Sequence, residues 1–435
     1  MRAPLEWLPS PLRPRRLWNG LLALVAAAAV LAHSAPLRAL PTTAEPAPSV
    51  ALVTIAPGTL YWERFGHNAI LIQGGGPGGA LLYNFGFFDF AQENFFGNFL
   101  RGRMLYRLVV TDPLTDFAAY QAAGRSVWVQ ELALQPAAAA ALARDLAERA
   151  LPENAEYRYD YYANNCSTRV RDALDFAVHG ALRAQSIGRG RGETYRSLSL
   201  AYAAPEPWLA LGIDLGLGPA ADLPISFWEE AFLPMRLRDL VAELKQPEAD
   251  GRVLPLVRSE YQAVVGRPWP GLPSTPYLAL GFGFGGLMFA ALVWFGLARP
   301  LRFGRRLAAG CAALSSLLIG LVGCGLIGLW CCTDHAIAWA NANLVLFNPL
   351  ALGLVLPLWR LGGNEPRACR PIASGMAALI LIGVGLLLLA GAAKFSPQVQ
   401  SHWFALLIPW HLMVWAALRA AWPLPTAAQP DLGKL

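Results

Sequence analysis

The second half of the chain limits what the whole can be. Between residues 276 and 422 the sequence is a series of apolar runs joined by short polar links. Five runs, near 277–298, 307–331, 343–359, 372–391 and 402–421, are each close to the roughly 20 residues that a helix needs to cross a bilayer, the third being the shortest. Backbone polar groups find no water in hydrocarbon, so runs of this kind are expected as helices. Arg299, Arg302, Arg305 and Arg306 follow the first run, Arg360, Arg367 and Arg370 follow the third, and Arg419 ends the fifth. If all five runs cross, these clusters share one face, and their charge assigns that face to the cytoplasm. The 332–342 and 394–401 links then share the opposite face with residues 50–270. The expected organisation is a signal peptide or signal anchor over 1–35, a linker over 36–49 and an exported globular domain over 50–270. A five-helix transmembrane domain follows over 276–422, with a cytoplasmic tail over 423–435.

Composition agrees with this division. Hydrophobic residues make up 55% of the 435 residues and charged residues 15%, too apolar a balance for an ordinary soluble protein. The formal charge of +6 would suit a nucleic-acid partner, but the arginines form no stripe interleaved with aromatics, so no nucleic-acid partner is expected. Arg2, Arg13, Arg15 and Arg16 precede an apolar segment from Leu17 to Ala32, and His33-Ser34-Ala35-Pro36 follows, which is a signal-segment layout. Cys166 stands alone before residue 300, while Cys311, Cys324, Cys331, Cys332 and Cys369 lie in the apolar half. A disulfide framework is not expected. Cys331-Cys332 with His335 lacks zinc-site spacing, and neither a metal nor a cofactor is expected.

The exported domain reads as mixed α and β. Val50–Ile55, Asn68–Gln73 and Leu81–Phe85 are strand-like, the last two joined by the Gly74–Gly79 cluster as a hairpin. Tyr106–Thr111 and Ser126–Leu134 read as strands, and Pro136–Leu151 as a helix. Residues 186–196, rich in glycine and arginine, read as a mobile loop. Ser226 and Glu229 have the spacing of a capping box. Phe85, Phe87, Phe88, Phe90, Phe95, Phe96 and Phe99 crowd one segment. Core packing is the favoured reading; a groove for acyl chains or a lipid-facing surface is the alternative.

The chemistry gathers at Asn164-Asn165-Cys166-Ser167-Thr168. Val170, Ala173, Leu174 and Ala177 follow at the spacing of one buried helical face, with Asn165 as N-cap. The positive end of that helix favours a thiolate at Cys166. A cysteine nucleophile needs a base and a group to orient it. His33 lies in the signal region and His179 beyond the helix face. His67 opens an apolar strand, where a polar ring needs a partner or a task. Asn84, inside the next apolar run, would fix its tautomer, with Asp89 and Glu63 as rivals. The Cys166 amide would be one oxyanion donor, the second being unidentified. Asp334 and His335, on the exported 332–342 link, are supporting candidates or a solvated loop capping helix ends.

The order of histidine on a strand, polar residue on the next, then Asn-Cys opening a helix resembles circularly permuted papain-like enzymes such as lecithin:retinol acyltransferase. Phe65-Gly66-His67-Asn68-Ala69-Ile70, Tyr83-Asn84-Phe85-Gly86, the Cys166 segment and Phe232-Leu233-Pro234 more closely resemble the exported domain of Lnb-type bacterial lipoprotein N-acyltransferases. Thr333-Asp334-His335, Asn341, Asn343 and Asn348-Pro349 are similar to the membrane domain of that family, so the resemblance covers roughly residues 50–422. It implies an α+β permuted papain-like domain followed by an all-α membrane bundle in the bacterial inner membrane. It also implies transfer of an acyl chain from a phospholipid donor to the amino terminus of a lipoprotein acceptor through a Cys166 thioester, with His67, Asn84 and Asn165 in support. An exported cysteine amidase or peptidase acting on cell-wall or peptide amides, and a non-catalytic membrane assembly factor, are the competing readings.

Overall fold

The computed structural model describes residues 47–74, 79–88, 92–247, 252–268, 278–299, 301–363 and 370–420. The signal region, the linker up to residue 46, Asp89 and the tail beyond residue 420 lie outside the described residues. The sheet domain begins with β1 (Ser49–Ile55), β2 (His67–Gln73), β3 (Ala80–Phe87), α1 (Phe95–Arg101), β4 (Leu105–Thr111), α2 (Pro113–Ala122) and β5 (Val127–Leu132). It continues with α3 (Pro136–Arg149), β6 (Glu156–Arg158), α4 (Cys166–Ala177), α5 (Ala181–Ser186), α6 (Tyr195–Ala203) and α7 (Pro207–Gly216). The short α8 (Phe227–Glu230), α9 (Pro234–Glu243), β7 (Lys245–Pro247), β8 (Val253–Pro255) and β9 (Val257–Val264) complete it.

Among the described residues, seven strands form one antiparallel sheet in the order β6-β4-β3-β2-β1-β5-β9, with β7 and β8 as a separate pair. β1 is central, and its alternation serves two cores. Val50 and Leu52 face a core with Leu142 and Leu146 of α3, Val170 and Leu174 of α4, and Leu237 and Leu240 of α9. Ala51, Val53 and Ile55 face the other way, toward Leu71, Leu82 and Val129, with Phe117 and Tyr120 of α2 packed on top. Covered on both faces, the strand carries the near-continuous apolar run expected of a buried strand, with Thr54 as its one buried polar residue. The Ser226–Glu229 capping box is present. The 186–196 segment is tied down rather than free: Arg189 and Arg191 bond Glu243 at 3.1 and 3.2 Å and stack over Phe227.

The second half contains α10 (Leu278–Ala298), α11 (Arg302–Cys332), α12 (Asn343–Leu346), α13 (Val355–Arg360), α14 (Arg370–Ala392) and α15 (Ser401–Arg419). It supplies five segments long and apolar enough to cross a membrane, the third running from Asn343 to Arg360. That third segment is not the continuous helix expected. Pro349 lacks an N–H, Asn348 caps the Leu350 amide at 3.0 Å, and a 3₁₀ turn over Pro349–Leu354 separates α12 from α13. Gly320 and Gly323 of α11 make room for the break: a Cβ at Gly323 would fall 2.0 Å from the Phe347 carbonyl oxygen. The His411 ring donates to the Leu346 carbonyl at 2.9 Å, satisfying a group that a regular helix would have paired.

Contacts between segments show which ends lie together. Arg305 donates to the Leu361 carbonyl at 2.7 Å and Arg370 to the Ala420 carbonyl at 3.3 Å, so the arginine-rich ends gather on one face. At the other face the bundle meets the sheet domain. Asn341 and Asn343 donate to the Leu215 carbonyl at 2.8 and 3.2 Å, and Gln398 to Leu217 at 3.3 Å. Asp214 accepts from Trp403 at 2.7 Å and from His402, while Arg196 bonds both Asp214 and Asp222. All three of these charged side chains are at most 5% exposed. Removing the cation would strand two buried carboxylates, a change worth about 3–5 kcal/mol. Arg196→Met is therefore expected to lower the thermal unfolding temperature of the full-length protein in detergent by several degrees; an unchanged value would show that the cluster is not needed for stability.

Candidate active site

Strand register puts three polar side chains on one face. Ala69 lies opposite Asn84, and Asn84 opposite Val109. His67 and Thr111 are each two residues along, so they are the diagonal neighbours of Asn84, within reach of its side chain. The His67 ring Nε2–H donates to Asn84 Oδ1 at 3.0 Å. The Asn84 amide nitrogen donates to Thr111 Oγ1 at 2.8 Å and to Asp116 Oδ2 at 3.1 Å, and the Thr111 hydroxyl donates to the same carboxylate oxygen at 2.6 Å. A carboxylate only accepts, so this chain sets the amide with its oxygen toward His67. The imidazole is then held with Nε2 protonated and Nδ1 as the free base.

α4 approaches from the opposite face of the sheet. Asn165 accepts from the Thr168 amide at 2.9 Å and the Thr168 hydroxyl accepts from the Asn165 amide at 2.8 Å, a reciprocal cap. The Asn165 amide nitrogen donates to the Tyr161 and Phe232 carbonyls at 2.8 and 2.9 Å, so this side chain is committed to fixing the helix start. Ser167 donates to Asn68 Oδ1 at 2.8 Å, and Asn68 donates to Thr54 at 2.9 Å, which ties α4 to β2 and β1. Pairing of β2 with β3 ends at Ala69–Asn84. Beyond it the strands part, Gly86 adopts φ +96°, and a Cβ there would lie 3.2 Å from that of Cys166. Cys166 lies against this gap, with the Asn68 backbone amide near enough to favour its thiolate form. A helix on one face of the sheet thereby reaches the residue next to His67, whose ring is on the other face. Among the described residues no hydrogen bond joins the thiol to the ring.

The electrostatics differ from the expectation of a resting thiolate. Burial pushes the Cys166 thiol above its ordinary value, outweighing the amides of Asn68, Ser167 and Cys166 and the nearby Arg125 guanidinium. Burial also lowers His67 to about 4, with Arg125 adding to the effect and Asn84 and Asp116 opposing it. The resting pair is a neutral thiol and a neutral imidazole. Arg125 is itself buried, donates to the Ala56 carbonyl at 2.9 Å and pairs with Glu63 at 3.4 Å. Glu63 thus engages the arginine, while Asn84 is the residue that touches His67. The Tyr157 hydroxyl lies at the same Gly86 opening as Cys166, 3.9 Å from where a Cβ would stand. Its buried hydroxyl has no hydrogen-bond partner among the described residues, and burial holds it protonated.

Asp334 and His335 are placed elsewhere. Asp334 accepts from Arg103 at 2.9 Å and from Arg158, and the His335 ring donates to the Phe99 carbonyl at 3.1 Å. Both fasten the membrane domain to the sheet edge. His179 is exposed just past α4. Among the described residues no group of three or more His, Cys, Asp or Glu side chains is arranged to hold a metal. Thr111, Asp116, Arg125 and Tyr157 carry no motif, and nothing in their local sequence marks them as neighbours of His67 or of Cys166.

Two outcomes follow from these environments. Alkylation of Cys166 by iodoacetamide is expected to rise with pH through a midpoint above that of a free thiol; a midpoint below it would restore the thiolate picture. Unfolded His67 takes a proton below its ordinary 6.5, whereas the folded ring does so only near 4. The unfolded state binds more protons in that window, so stability falls as pH drops from 6.5 to about 4. His67→Gln is expected to flatten that part of the unfolding-temperature profile, and a profile unchanged by the substitution would contradict the assigned burial.

Neither a curated protein nor a solved structure matches the chain. The matched family is described as the Lnb N-terminal periplasmic domain, and the match covers residues 41–200. That stretch holds His67, Asn84 and Cys166 and stops before α7, which meets the membrane bundle. The five apolar segments make the protein membrane-integral and multi-pass, and residues 41–200 are similar to the Lnb N-terminal periplasmic domain.

Proposed function

We propose that the protein is a membrane acyltransferase. In this reading it moves a fatty acyl chain from a phospholipid to the amino terminus of a lipoprotein, through a thioester on Cys166, at the periplasmic face of the inner membrane. The observation that carries the reading is a domain that orients His67 through Asn84, ties the helix opened by Cys166 to Asn68, the residue next to that histidine, and docks directly onto the membrane helices. Donor and acceptor are both anchored in lipid, so a site held at the bilayer suits them, whereas a soluble peptide amide needs no such support. The chain order of His67, Asn84 and Cys166, with α4 opening at the cysteine, supports a permuted papain-like arrangement.

The proposed chemistry starts from the neutral pair. The Cys166 thiol passes its proton to His67 Nδ1 as the sulfur attacks the ester carbonyl carbon. Burial makes a free thiolate costly, so proton transfer accompanies attack instead of preceding it. The Cys166 amide and the unpaired Tyr157 hydroxyl are the proposed oxyanion donors, Tyr157 filling the position the sequence left open. When the intermediate collapses the carbon–oxygen bond breaks, His67 returns the proton to the departing oxygen, and a lysophospholipid leaves. The lipoprotein amine then attacks the thioester and gives a proton to His67. An amide forms, the carbon–sulfur bond breaks, and the sulfur recovers its proton. Asn84 keeps Nδ1 facing the chemistry throughout.

Incubation of the full-length protein with phosphatidylethanolamine vesicles is expected to add a mass of fatty-acyl size to Cys166, seen by intact and peptide mass spectrometry. Asn84→Ala is expected to slow its formation by about 10²-fold or more, and Tyr157→Phe by a similar factor of about 10². A peptidyl adduct in place of an acyl one would favour the amidase reading. Full lipoprotein N-acylation in cells carrying Cys166→Ala would leave only a binding role.

A further inference from the structure

The aromatic-rich segment is not core. Phe85 is buried, but α1 presents Phe96 at 74% exposure and Leu100 at 67%, with Phe99 also exposed. An uncovered apolar helix face needs an occupant, and the contacts of α1 indicate which. The Arg101 carbonyl accepts from the Asp334 amide at 2.9 Å, the Phe99 carbonyl from His335, and Gly102 packs against the His335 ring. Asp334 is only two residues beyond Cys332, the last residue of α11, so α1 lies within roughly 7 Å of chain from the end of a membrane helix.

The length of α11 gives the depth. Its 31 residues span about 46 Å, against about 30 Å of hydrocarbon. Arg302, Arg305 and Arg306 mark the cytoplasmic boundary at its start. Hydrocarbon therefore ends near residue 327 on the other side, and Trp330 and Asp334 fall in the periplasmic headgroup layer. α1 is fastened at that level, with exposed Arg101 at its C-terminal end, a composition suited to the boundary between headgroups and acyl chains.

A row of rings leads inward from α1. Phe95 and Phe88 lie 6.3 Å apart between centroids, Phe88 and Tyr106 5.3 Å, and Tyr106 and Tyr159 4.1 Å. Tyr106, Tyr159 and Cys166 all pack against the same core of the sheet domain. We propose that α1 rests in the periplasmic leaflet and that Phe96, Phe99 and Leu100 draw one phospholipid acyl chain onto the Phe95–Phe88–Tyr106–Tyr159 row, which guides its ester to Cys166. The guiding role rests on the acyltransferase reading; the placement of α1 in lipid does not.

The test uses the full chain in vesicles of phosphatidylethanolamine and phosphatidylglycerol. A benzophenone amino acid is placed at position 96 or 100, and at Phe295, an exposed position on α10, for reference. Illumination is expected to give lipid adducts at 96 and 100 in yields within a few-fold of those at 295. Adducts at 295 alone would overturn the placement. In a second arm the Phe96→Ser, Leu100→Ser double variant is compared with the parent for acylation of Cys166 from vesicle phospholipid and from soluble p-nitrophenyl butyrate. The ratio of the two rates is expected to fall about tenfold or more, as two large apolar contacts with the donor are lost. An unchanged ratio would overturn the path. If no ester acylates Cys166, the acyltransferase reading and the path both fall, while lipid adducts at 96 and 100 would still support the placement.

Discussion

Asp214 is the carboxylate on which the two halves of the protein meet. It takes Arg196 from the sheet domain and His402 and Trp403 from the start of α15. A charge this deeply buried is costly unless it is paired and hydrogen-bonded, so the alternative to the assembled cluster is poor. Directional partners leave the domain little freedom to slide on the bundle. The Asn341, Asn343 and Gln398 contacts to backbone carbonyls of Leu215 and Leu217 extend the same constraint. Asp334 and His335 fasten the opposite edge. The height of the thiol above the bilayer is a consequence of these contacts, and the proposed chemistry depends on that height.

Within the site, a gap in the sheet does the comparable work. β2 and β3 separate after Ala69 and Asn84, and Gly86 leaves no side chain in the opening. The start of α4 fills it, capped by Asn165 and tied through Ser167 to Asn68. The start of α4 is thereby held against Asn68, the residue next to the histidine that register has already oriented. Helix dipole and backbone amides favour the thiolate, but burial is the larger effect. The thiol and the imidazole are therefore both neutral at rest.

His67 and Asn84 stood out in the sequence because each is polar in an apolar run, and Cys166 because it stands alone before residue 300 at the start of a helix. The cap at Asn165 was readable for the same local reason, since a polar residue just before a periodic run has few other uses. Asp116, Thr111, Arg125 and Tyr157 were not readable. Their nearness to the site comes from strand register and from α2 packing across the sheet, which no local spacing encodes. Core packing, the favoured reading of the phenylalanine cluster, holds for Phe85 but not for Phe96 and Phe99. Phe96 and Leu100 are exposed, but beside the end of a membrane helix. The 186–196 segment misled through composition: its arginines are pinned by Glu243 and Phe227, residues distant in sequence.

The sequence by itself determined the number of membrane segments, the face that carries the arginines, the strands that hold the candidate residues and the start of the cysteine helix. Each of these depends on hydrophobic period, charge or capping over a few neighbouring residues. Only the tertiary structure decided the ionisation of the thiol and imidazole, the break at Pro349, the partner of Glu63 and the docking role of Asp334, His335 and His402. These depend on desolvation and on polar partners brought together from remote parts of the chain, and both exist only once the sheet and the bundle have closed on one another.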